Sequence, residues 1–121
     1  MDTKLVLLLV LGIVAIAWAD PKTACRGATH NLILGKREPG DRLLDNTRPN
    51  QIKGRDSIVQ WPRMGKREVK ITRIEVLDQY HDGSGGCATL VSGGLGSDNV
   101  KLHLQAQPGR NFDFRIRIYG K

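Results

Sequence analysis

The stretch Phe112-Asp113-Phe114-Arg115-Ile116-Arg117-Ile118-Tyr119 decides the fold class, because apolar and polar side chains alternate along all of it. A period of two puts Phe112, Phe114, Ile116 and Ile118 on one face and Asp113, Arg115, Arg117 and Tyr119 on the other. That is the pattern of a strand lying on a core with its back to water. Just upstream, Val100, Leu102, Leu104 and Ala106 alternate in the same way with Lys101, His103 and Gln105, and Gln107-Pro108-Gly109-Arg110 separates the two runs as a turn. Together they read as an antiparallel hairpin. Its outward side would carry Lys101, His103, Arg115 and Arg117 as a basic face, the candidate surface for a protein or polyanionic partner.

Further upstream, Glu68 to Asp78 is long and β-branched, but its apolar positions change parity between Ile71 and Ile74. A bulge or corner there restores the inward face. Shorter strand candidates are Asn31 to Leu34, Arg42 to Leu44, Ser57 to Trp61 and Ala88 to Ser92, each bounded by Gly, Pro, Asn or Asp. No stretch outside the N-terminal segment holds a helical period. The expected architecture is all-β, a small antiparallel sandwich or barrel of about seven strands.

Met1 to Ala19 has a different character. Lys4 precedes a thirteen-residue apolar run, Leu5 to Ala17, and the segment closes on Ala17-Trp18-Ala19 before Asp20-Pro21. This is the composition of a secretory signal cut between Ala19 and Asp20. The run is shorter than the roughly 18 to 20 residues that cross a bilayer, and no later segment approaches that length. The expected organisation is a signal over 1–19, an N-terminal tail over 20–29 and a single β-domain over 30–121, exported and free of the membrane. Removing nineteen residues from 121 leaves 102, and because the signal holds one acid and one base the formal net charge stays at +7. That surplus favours loose attraction to polyanions without naming one. Scattered bases and few aromatics offer no stacking platform or zinc-finger spacing for nucleic acid.

Both cysteines, Cys25 and Cys87, lie beyond the signal, and an exported pair reads as a disulfide. Closing a loop of that length contributes about 4 kcal/mol in the chain-entropy model. The rival reading, a nucleophilic thiol, has no neighbouring sequence signature.

Motifs for catalysis are missing from the chain. His30, His81 and His103 have no ligand spacing, and no H-E-x-x-H, G-x-S-x-G or paired-cysteine zinc pattern occurs. His81 beside Asp78 and Asp82 is the nearest approach to a metal site, and charged groups at a strand end are ordinarily just solvated. Asp82-Gly83-Ser84-Gly85-Gly86 and Gly93-Gly94 lack the following helix that a phosphate loop requires, so they read as turn glycines. No cofactor and no enzymatic activity are expected. Gly35-Lys36-Arg37 and Gly65-Lys66-Arg67, with Gly120-Lys121, do resemble prohormone cleavage and amidation signals. A chain with amphipathic strands and a crosslink around those pairs is a poor precursor.

The residues His30-Asn31-Leu32-Ile33-Leu34-Gly35 with Arg37, then Pro39-Gly40-Asp41-Arg42-Leu43, form one motif block. Ile74 to Tyr80, Asp82 to Gly86, Gly93 to Gly96, Asn99-Val100 and Phe112 to Gly120 form another. Over His30 to Lys121 the chain resembles the multiprotein bridging factor 2 family of small arthropod proteins, many of them described as probable salivary secreted peptides. The resemblance implies no catalytic residues. It implies either an exported effector of saliva, venom or body fluid or, from the family's founding role, a transcriptional coactivator-like bridging factor. The secretory signal favours the exported effector. Cys87 departs from the family pattern, so the crosslink is read from export and not from the resemblance.

Overall fold

The computed structural model describes residues 23–49 and 55–121. The segment read as a secretory signal and the expected cleavage site at Ala19–Asp20 lie outside them. Eight strands follow one another: β1 (Thr23–Ala24), β2 (Leu32–Gly35), β3 (Arg42–Thr47), β4 (Ser57–Trp61), β5 (Ile71–Asp78), β6 (Cys87–Gly93), β7 (Val100–Gln105) and β8 (Phe114–Gly120). They form two four-stranded sheets, in the orders β1-β6-β7-β4 and β2-β5-β8-β3, and every pairing is antiparallel. The fold is therefore a β-sandwich.

The alternation read from the sequence recurs as burial. Phe114, Ile116 and Ile118 of β8 and Val100, Leu102 and Leu104 of β7 are all at most 1% exposed, while the residues between them are not buried. Leu32, Leu34, Ile71, Ile74, Val76 and Phe112 join them in one core between the sheets. A buried aliphatic or aromatic side chain of this kind contributes roughly 1.5–3 kcal/mol, so these two strands carry much of the fold.

The expected β7–β8 hairpin does not exist. β7 pairs with β6 and β4, and β8 pairs with β5 and β3, in the opposite sheet. Alternation reports that a strand has a buried face, and two strands facing each other across a sandwich satisfy that as well as two neighbours do. The link between them crosses the core edge, with Phe112 1% exposed and its ring 5.8 Å from that of Phe114. Gln107-Pro108-Gly109-Arg110 is a turn, closed by the Arg110 amide donating to the Gln107 carbonyl.

The parity change in β5 is a bulge. Its register against β8 shifts between Ile71 and Arg73, and Thr72 is the extra residue. The bulge lets both Ile71 and Ile74 face the core. Thr72, also buried, donates its hydroxyl to Asp41 Oδ2 at 2.9 Å.

The segment expected to be an N-terminal tail supplies an eighth strand. Thr23 and Ala24 pair with Thr89 and Ala88 of β6, and Cys25 is joined to Cys87 with a Cα–Cα distance of 4.9 Å. Two residues are too few to show a period. Among the spaced glycines, Gly83, Gly93, Gly94 and Gly96 take the positive φ that turns require. Gly86 serves close approach instead, since a Cβ there would lie 2.5 Å from the Gln105 carbonyl oxygen and 2.7 Å from Phe112 Cβ.

Candidate functional site

Lys101 and His103 point outward from β7, and Arg115 and Arg117 point outward from β8. Because β7 and β8 belong to opposing sheets, the four bases divide into two pairs on opposite surfaces of the sandwich. No single basic face joins them. His103 Nε2 lies 3.1 Å from Asp56 Oδ2, and Arg117 lies 3.7 Å from Glu75, which also accepts from Arg73 at 2.8 Å.

His81, Asp78 and Asp82 do not converge either. Asp78 is 2% exposed and turned inward, accepting from the backbone amides of His30 at 2.9 Å and Tyr80 at 3.0 Å. Its own amide donates to Asn31 Oδ1. His81 meets the Thr29 hydroxyl, and Asp82 accepts from Ser84, which holds its carboxyl below the usual carboxylate range. Metal-type donors do come together at Cys25, His30 and Cys87, within 4.8 Å of one another, but the two sulfurs are joined to each other.

Arg37, in the first dibasic pair, is held firmly. Its Nε donates to Asp41 Oδ1 at 2.7 Å, and its guanidinium sits 4.1 Å from the Tyr119 ring centroid. Lys66-Arg67 lies in the link between β4 and β5 beside Met64, which is 90% exposed.

A large concavity among the described residues was not anticipated from the sequence. It is a cleft of about 980 Å³ between β3 and β4, where one edge of each sheet faces the other. Its cause lies in the inner-face residues of those edge strands. Asp45 stands in register beside Ile118 and Thr47 beside Ile116, while β4 offers Ser57 and Val59 beside Leu104 and Leu102. Where the central strands present Leu, Ile and Phe, these edges present small or polar groups that do not meet across the gap. Val100, Leu102, Ile116 and Ile118 form the back wall, and Trp61 lies at one end, 7% exposed.

The mouth is charged. Asp45, Arg63 and Arg67 line it, and none of the three forms an ion pair among the described residues. Burial pushes the Asp45 carboxyl up from its ordinary value, against the opposing pull of Arg63, the Asn46 amide and Arg67. The Arg67 guanidinium lies 5.9 Å from the Trp61 ring centroid. An inward acid on an edge strand also discourages pairing with another chain. The legible sign was the loss of alternation after Leu44, where Asp45-Asn46-Thr47 replaces an apolar inner face.

These features sit on a chain with known relatives. It is 37% identical over 101 residues to a probable salivary secreted peptide of Bombus ignitus, a match that covers 77% of this chain and 71% of that one. No solved structure matches it. The family model described as transcription activator MBF2 matches residues 34–120, from the end of β2 through β8. That span covers most of the chain and all but the first strand and part of the second, and so the chain belongs to the MBF2 family.

Proposed function

We propose that this chain is an exported, non-enzymatic binding protein, an effector of saliva or another body fluid. The observation that carries the reading is the Cys25–Cys87 disulfide. A crosslink of this kind persists in oxidising compartments and is rare in cytosol and nucleus. The signal-like segment and the Bombus ignitus relative, itself a probable salivary secreted peptide, support it. The non-enzymatic part rests on a sequence without hydrolase or metalloenzyme spacing, and the binding part on the cleft between β3 and β4.

A second reading, a transcriptional bridging factor, is favoured by the description of the family model. Fractionation of the native protein separates the two. The expected result is an extracellular chain beginning at Asp20 with no free thiol. A reduced protein recovered from nuclei would instead support bridging.

A further inference from the structure

We infer that the cleft between β3 and β4 binds the monomer of a long-chain carboxylate, its head held at the mouth by Arg63 and Arg67. The inference rests on the reading of the protein as a binding domain and adds the chemistry of what is bound. Three features of the cleft select this class.

Its size is that of a ligand site: about 980 Å³, at the upper end of the roughly 300 to 1,000 Å³ usual for small-molecule pockets. Its back wall is hydrocarbon, made by Val100, Leu102, Ile116 and Ile118 with Val59 and Trp61 beside them, while Asp45, Thr47 and Ser57 make the flanks polar. A flexible alkyl chain can lie along that back wall, which a glycan or nucleic acid would leave uncovered. The charged residues lie at the rim, two guanidiniums against one carboxylate, and neither Arg63 nor Arg67 has an ion-pair partner among the described residues.

Guanidinium is the group best suited to a carboxylate, because it presents paired N–H donors in a plane. The lone acid of the rim, Asp45, is itself partly desolvated. It repels a bound carboxylate at neutral pH, so the two arginines must overcome it. A cationic head on the same tail would meet both guanidiniums and is rejected. The protein's formal charge of +7 adds a long-range field of the same sign.

The test uses the secreted, disulfide-bonded protein, freed of lipid, in which Trp61 is the single tryptophan once Trp18 has left with the signal. Palmitate below its aggregation limit should change Trp61 fluorescence saturably, with one site per chain. Hexadecyltrimethylammonium, which carries the same tail under a cationic head, should bind at least about tenfold more weakly. Arg63→Ala with Arg67→Ala should cost palmitate about tenfold or more and narrow the gap between the two probes. Val59→Phe, which keeps Trp61 the single tryptophan, should block both, with its near-native thermal midpoint checked by circular dichroism, and Arg110→Ala should bind as the parent does. Equal binding of the two probes, undiminished binding by the double arginine variant, or binding only to phosphatidylglycerol vesicles would each overturn the assignment. None of these outcomes bears on export, which fractionation decides separately.

Discussion

Cys25 stands opposite Cys87 in the same register that pairs Ala24 with Ala88 and Thr23 with Thr89. The disulfide is thus a covalent rung that continues the β1–β6 ladder. A two-residue strand has little cohesion of its own, and the crosslink supplies the persistence that its hydrogen bonds lack.

Replacing both cysteines by serine is therefore expected to detach β1 and to lower stability by up to about 4 kcal/mol. Denaturant titration measures the total. Hydrogen exchange should show Thr23, Ala24 and their partners on β6 losing protection first, and unchanged protection there would contradict the role assigned to the rung.

Gly86→Ala should destabilise strongly, by roughly 2–3 kcal/mol or more, since its Cβ would meet the Gln105 carbonyl and Phe112, neither of which can move freely. Gly96→Ala is the contrast: its φ is +79° and nothing lies within 4 Å of the added carbon, so only backbone strain of about 1 kcal/mol is expected. Thermal melts of the two variants give the comparison, and equal costs would contradict it.

The acids Asp41 and Asp45 should act in opposite senses on stability against pH. Asp41 accepts from the Glu38 amide, Arg37 and Thr72, which holds its carboxyl below its ordinary 3.8. Its contribution is complete above that value and is lost as pH falls through the lower, folded-state one. Asp45 is raised above 3.8 by burial, so as a carboxylate it weakens the fold at neutral pH, and protonation relieves it. Melts across pH 3 to 7 should show Asp45→Asn gaining stability at neutral pH with the gain vanishing in acid, and Asp41→Asn losing stability at neutral pH with the loss shrinking in acid. The same direction for both would refute the assignment.

Of the two dibasic pairs, Lys66-Arg67 should be cut by trypsin before Lys36-Arg37. Arg37 is bound to Asp41 and stacked on Tyr119, and a protease needs an extended, released segment. Asp41→Ala should speed cleavage at Arg37 without changing it at Arg67. Mass spectrometry of timed digests reads both rates, and first cleavage at Arg37 in the parent protein would show that the contacts do not protect it.

Much of the architecture could be read from local pattern. Seven strands stand where alternation and turn residues put them, and even the bulge at Thr72 announced itself as a change of parity. What failed was inference from one strand to its neighbour: the β7 and β8 patterns are compatible with adjacency and with opposition, and the residues between them do not discriminate. The basic face failed with the hairpin. The cleft was legible only as the local break in alternation at Asp45-Asn46-Thr47, since the cavity itself comes from the juxtaposition of Asp45, Val59, Leu102 and Ile116 from four separate strands. The disulfide could be read from two cysteines downstream of a signal-like segment, both of them local features of the sequence.

The order in which the chain visits the two sheets bears on how it can be made. β1 enters one sheet, β2 and β3 the other, β4 the first, β5 the second, β6 and β7 the first again, and β8 the second. β8, the last of the described strands in chain order, occupies an interior place between β5 and β3, and without it β3 has no hydrogen-bonded neighbour. The sheet β2-β5-β8-β3 therefore cannot be completed before β8 is available, and long-range pairing of this kind is slow. Until residues 114–120 take their place, β3 and one edge of β5 lack their partner, so a chain cut short before them cannot hold its second sheet together.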